Sequence, residues 1–183
     1  VSGGRGVLVC GVSGTGKTTL AYACARSGLQ VLSDDVVHLR LDPANNQLRL
    51  WGRPWFLRLV PKAVELFPEL EGLPPQLRSD HEWYLEIDVE NQFPGSTVVS
   101  CKPEALVFLD RHRDVVTQLQ PLSVDSALER FMKDIYVSET SVIERHRQTL
   151  ARLLQTQAYT LNYSGDPMKA VEVIRSILGG ECA

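Results

Sequence analysis

Four consecutive apolar residues, Val7-Leu-Val-Cys10, run into a glycine-rich stretch, and Thr18 to Ser27 then places Ala and Leu at helix-compatible spacing before Gly28. A short apolar run closed by a turn predicts a buried strand, so the segment reads as strand, loop and helix. Leu29 to Ser33 is apolar enough for a second buried strand, which predicts a right-handed βαβ unit with that strand beside the first. Val37-His-Leu-Arg-Leu41 and Leu48-Arg-Leu-Trp51 alternate with period two around the turn chemistry of Pro43-Ala-Asn-Asn-Gln47. They predict a β-hairpin with His38, Arg40 and Arg49 on its exposed face.

From Gly52 to Arg78 the pattern is irregular, with Pro54, Pro61, Pro68, Pro74 and Pro75 around a short helix near Ala63 to Phe67. This reads as a substrate-side or packing insertion. Trp83 to Val89 alternates weakly, Ala105 to Leu109 is a buried strand, and Val115 to Leu122 leads to a helix capped by Ser123. Val142 to Gln155 is a further helical stretch and Tyr159 to Tyr163 a strand. Pro167 sits in the first turn of a last helix that runs to about Leu178, ahead of Gly179-Gly180.

Composition narrows the classes. With 183 residues, 44% apolar and 22% charged, the chain suits one globular domain, so residues 1–183 are expected to form a single unit. It begins at Val1 almost directly before the first strand, from which we expect that upstream residues are missing. Nineteen Lys and Arg against twenty-two Asp and Glu give a net charge of −3, and no basic field exists to hold nucleic acid. No apolar stretch approaches the roughly 18 residues of a membrane span. Cys10, Cys24, Cys101 and Cys182 are irregularly spaced and read as reduced thiols of a cytoplasmic protein.

Gly11-Val-Ser-Gly-Thr-Gly-Lys17-Thr18 satisfies the G-x-x-x-x-G-K-[S/T] phosphate loop in full, between a predicted strand and a predicted helix. Gly11, Ser13, Gly14, Thr15 and Gly16 form a backbone cradle for phosphate oxygens at the positive end of the following helix. Lys17 places a cation on the β and γ phosphates, Thr18 offers a hydroxyl to Mg²⁺, and Thr19 reaches the α phosphate. The expected cofactors are ATP and Mg²⁺. The fold expected is an α/β, P-loop-containing three-layer sandwich with a mixed, mostly parallel central sheet and a β-hairpin after the second core strand.

Asp34-Asp35 follows the second predicted strand and falls on the same sheet edge as the phosphates. Two neighbouring carboxylates there divide naturally into one that holds metal and one that accepts a proton, which suits phosphoryl transfer to a hydroxyl. Asp110, closing Ala105-Leu-Val-Phe-Leu, competes as a Walker B acid. Arg111 follows it where water-activating ATPases carry Glu, so Asp110 ranks behind the pair. No Asn-Lys-x-Asp guanine reader is present. Arg53, Arg58, Arg111, Arg113, Arg145 and Arg147 are candidate phosphate ligands, with none singled out; His112 and His146 read as surface residues.

Gly11-Val-Ser-Gly-Thr-Gly-Lys-Thr18, Gly28 and Leu32-Ser-Asp-Asp-Val36 together resemble the catalytic domain of the HPr kinase/phosphorylase family, which includes compact kinases of lasso-peptide precursors. Weaker similarity runs through Gly52-Arg-Pro54, Ile87-Asp-Val-Glu-Asn-Gln-Phe93 and Tyr159 to Val173. The resemblance implies Thr18 and Asp34 at Mg²⁺, Lys17 on phosphate and Asp35 as the base that deprotonates a serine. The implied partner is a serine-bearing peptide or small protein, and the implied assembly a homo-oligomer. The family's Glu-Ile-Arg-Gly stretch is not found before Ile87, and Asp80, Glu82 and Glu65 stand as substitutes for its metal-binding Glu. Two other functions stay open: a nucleotide-gated regulatory module, and an ATPase working through Asp110.

Overall fold

A twelve-residue strand organises the molecule. The computed structural model describes residues 1–79, 81–112, 115–133, 147 and 149–179. In chain order the elements are β1 (Arg5–Cys10), α1 (Lys17–Arg26), β2 (His38–Leu41), β3 (Leu48–Trp51), β4 (Phe56–Leu59), β5 (Gln76–Leu77), β6 (Trp83–Asp88), α2 (Val89–Gln92), β7 (Ser100–Arg111), β8 (Gln118–Pro121), α3 (Val124–Lys133), β9 (Gln157–Tyr163) and α4 (Pro167–Ile177). Single 3₁₀ turns occupy Pro61–Glu65 and Pro68–Leu70, and residues 149–153 are helical.

β7 lies between β1 and β9, parallel to both. β2 and β3 form the expected hairpin, with His38 opposite Trp51 and Leu41 opposite Leu48, and β3 joins the start of β7 antiparallel. β8 pairs antiparallel with β9. The sheet is therefore mixed but not mostly parallel. A tight hairpin delivers an antiparallel neighbour, and the parallel pairings are confined to the centre, where longer crossovers return the chain.

Because successive side chains on a strand point to opposite faces, the apolar run Ala105 to Leu109 of β7 is covered twice. Val107 and Leu109 face α1 and α4, meeting Leu20, Ala23, Ala170 and Ile174. Leu106 and Phe108 face Ala127 of α3 together with Leu150, Leu153 and Leu154. This gives the expected helix–sheet–helix layering. Ser123 caps α3, its Oγ accepting the Ser126 N–H at 3.2 Å, and Asp166 caps α4 through the Met168 N–H at 2.9 Å. Residues 142–146 and 148 of the helix expected over 142–155 lie outside the described residues.

Two expectations need correction. The irregular insertion contains a second, antiparallel sheet in the order β4-β6-β5. Its inner face buries Leu57, Leu59, Leu85 and Ile87 against α1, with Phe67 and Tyr22 stacked at 4.6 Å between ring centroids. Fully burying each leucine contributes about 1.5–3 kcal/mol before entropy is counted, enough to fix a strand of four residues. The expected short helix near Ala63 to Phe67 is a 3₁₀ turn starting two residues earlier. The second correction concerns Leu29 to Ser33, which forms no ladder beside β1. Only Val31 bridges, in parallel to Thr97: its N–H donates to Ser96 O at 2.7 Å and its carbonyl accepts the Val98 N–H at 3.0 Å. These backbone groups are satisfied by the 96–98 segment, so the space between β1 and residues 29–37 stays open. No helix among the described residues is long and apolar enough to cross a membrane.

Candidate functional site

The loop after β1 takes its shape from glycine. Gly14 and Gly16 have φ of 82° and 95°, the left-handed region that glycine enters without steric cost. Space around Gly14 is open, whereas a Cβ at Gly16 would collide with the Tyr163 hydroxyl. That hydroxyl donates to the Thr15 carbonyl at 2.8 Å, so the end of β9 clamps the loop from beneath. Thr15 is half-buried and its hydroxyl donates to Val12 O at 2.9 Å. Gly11, Ser13 and Gly14 are exposed, and Thr19 is half-buried on α1.

Gly16 opens α1 with no side-chain cap, and no acidic residue occupies the first turn. The helix therefore presents uncapped N–H donors and its positive dipole end toward the loop. Lys17 stands in this same first turn, where a cation opposes the dipole. Its Nζ donates to Gly11 O at 2.8 Å and Val12 O at 2.9 Å, which holds the ammonium over the loop. Uncapped donors and an added cation at one helix end favour an anion.

Thr18 brings its hydroxyl to the Asp34 carboxylate, so the structure does unite the loop with the acid pair. Asp34 Oδ2 accepts the Arg58 N–H at 3.0 Å, while Oδ1 is buried without a hydrogen-bond partner. Burial raises the Asp34 pKa; the Thr18 hydroxyl and Arg58 N–H pull it back, and the Asp35 charge pushes it up again. An orphaned carboxylate oxygen beside a threonine hydroxyl is a donor set of hard oxygens, which fits Mg²⁺. Asp35, next in the chain, is exposed at the mouth of the cleft.

The raised pKa has a measurable sign. An acid whose folded pKa lies above its unfolded value gives most stability below the ordinary carboxylate range and loses it as pH rises through the folded pKa. In metal-free solution Asp34→Asn should therefore be more stable than the native chain toward urea, by a margin that grows from pH 4 to pH 7. Parallel curves for the two proteins across that range would contradict the burial argument.

Arg58, one of several undistinguished arginines in the sequence, supports both acids. Its N–H holds Asp34, and its guanidinium lies within the field of Asp35 while pairing with Glu86 at 3.0 Å and covering the Tyr84 ring at 5.5 Å. The signal was the alternation Phe56-Leu-Arg-Leu59, two periods long and flanked by prolines. Asp110, one residue before the end of β7, lines the same cleft, its Oδ1 3.1 Å from His112 Nε2. Glu65 pairs with Lys62 at 3.8 Å, and neither it nor Glu82 lines the cleft. Asp80, Arg113, Arg145, His146 and Cys182 lie outside the described residues.

The fold and this site define a class: an α/β chain carrying a glycine-shaped loop at a helix N-terminus and, near it, a pair of acids. No family model matches the chain, and no curated protein does. Among solved structures it is similar to the Hpr(Ser) kinase/phosphatase from Coxiella burnetii, at 15% sequence identity over 94% of this chain and 82% of that one, with a TM-score of 0.46.

Proposed function

We propose that the chain is an ATP- and Mg²⁺-dependent kinase that phosphorylates a serine hydroxyl of a peptide or small protein. The observation that carries this reading is the Thr18 hydroxyl set against the half-buried Asp34 carboxylate, whose Oδ1 is inaccessible and without a partner, with Asp35 exposed beside it. The loop from Gly11 to Gly16, with Lys17 and Thr19, would bind the triphosphate, and Thr18 and Asp34 would hold the metal. Bound Mg²⁺ neutralises charge on the β and γ phosphates. Asp35 takes the proton of the serine hydroxyl as its Oγ bonds to the γ phosphorus; the bond to the β-phosphate oxygen breaks and ADP leaves.

The test is incubation of the chain with ATP, Mg²⁺ and a serine-peptide mixture, with mass spectrometry of the products. Phosphoserine should form, and ADP should accumulate in step with it. Free phosphate without phosphopeptide would favour the ATPase reading instead. Lys17→Ala should weaken ATP binding itself by about 10- to 100-fold, the worth of a charge-assisted contact, as read by calorimetry. Unchanged affinity would remove the loop from nucleotide binding.

A further inference from the structure

The gap left by the missing ladder between β1 and Leu29 to Val37 is a cleft of about 890 Å³. Its chemistry is segregated. Lys17, Asp34, Asp35 and Asp110 sit at the phosphate-loop end. Leu8, Cys10, Val37, Leu39, Phe108 and Phe131 line another part, on the sheet face that also packs α3. Phe108 and Phe131 meet edge to face at 5.2 Å, and the Arg130 guanidinium, also in the lining, lies over the Phe108 ring at 5.3 Å, so this wall is aromatic and aliphatic with a cation on it.

Charge decides which part of a ligand goes where. A triphosphate and its cation match the charged end, and burying them among the apolar residues would cost their hydration. An uncharged group matches the apolar lobe. Asp35 lines this same cleft, and the acceptor hydroxyl has to meet the γ phosphate beside it. The volume, which includes the charged end, lies within the range of about 300–1,000 Å³ that small-molecule sites occupy.

We propose that the acceptor carries a bulky apolar side chain, aromatic or long aliphatic, next to its serine, and that this side chain enters the cleft between β1 and Leu29 to Val37. Seating it there brings the hydroxyl to Asp35. The assignment rests on the serine-kinase reading above and names the acceptor class for that same site.

The test pairs two labelled peptide sets, one with Phe or Leu flanking the serine and one with Gly or Ser. Each is measured for equilibrium binding beside a non-hydrolysable ATP analogue and Mg²⁺, and for phosphate incorporation from ATP. Apolar-flanked peptides should bind, and be phosphorylated with KM lower, by about tenfold, the scale on which apolar pockets discriminate. Val37→Trp narrows the cleft from its wall and should erase that preference while ATP affinity stays within about twofold. Val37→Phe, a smaller insertion, serves if the tryptophan variant fails to fold by circular dichroism. Transfer to both sets with equal KM overturns the cleft assignment and leaves the kinase. Weakened ATP binding in the narrowed variant, with peptide preference intact, overturns it in favour of a nucleobase in the cleft. Apolar-selective binding that Val37→Trp removes, without transfer to any peptide, supports the cleft and sinks the kinase. Absence of both transfer and selective binding sinks both.

Discussion

On the proposed kinase reading, Asp35→Asn should lower serine phosphorylation by about 10²- to 10⁴-fold, the usual contribution of a general base, and leave ATP affinity within about twofold. The separation follows from where Asp35 stands. It is exposed, while the contacts that hold the loop and its neighbour run through Thr15, Lys17, Thr18 and Asp34. Asparagine keeps the shape and removes the proton acceptor. It also removes the Asp35 charge that raises the Asp34 pKa, which favours the ionised form of Asp34. Rapid-quench turnover together with nucleotide titration reads both quantities. A variant that keeps a tenth or more of native turnover would mean that the base lies elsewhere, with Asp110 the next residue to substitute.

Gly16→Ala is the second large effect. Two penalties coincide at this position: a left-handed backbone, costing a non-glycine residue about 1–3 kcal/mol, and a Cβ driven into the Tyr163 hydroxyl. The loop must shift, and ATP affinity should fall by more than about tenfold along with the loss in stability. Tyr163→Phe alone removes only the bond to Thr15 O, worth about 1 kcal/mol. The double variant discriminates between the two causes. Removing the hydroxyl relieves the collision but not the backbone strain, so Gly16→Ala with Tyr163→Phe should recover part of the binding lost by Gly16→Ala. Strict additivity of the two substitutions in calorimetry and melting would show that the collision does not matter.

Much of this arrangement was legible in the residues, and the exceptions have physical causes. β1, α1, the hairpin and the start of α4 carry local signals, namely apolar runs, period-two alternation, and Pro167 in the first helical turn. Asp34 was expected near the loop on the strength of a strand beside β1 that does not form, although the Thr18 hydroxyl does act on its carboxylate. The misplaced partner of β1 was not legible. An apolar pentapeptide such as Leu29 to Ser33 states that it is buried, not what it pairs with, and the 96–98 segment satisfied Val31 first. The small sheet was hidden because its strands are two to six residues long and its stability comes from packing on α1 rather than from local propensity. Arg58 could not be told from its many fellow arginines until its backbone was found on Asp34.

That last bond is made by the main chain, so any residue except proline at position 58 supplies it equally well. Mutational drift can rewrite the lettering of this strand without loosening its grip on the acid. A search for kindred chains that scores identities here would overlook molecules built the same way, and Arg58→Pro is the change they would share the inability to accept.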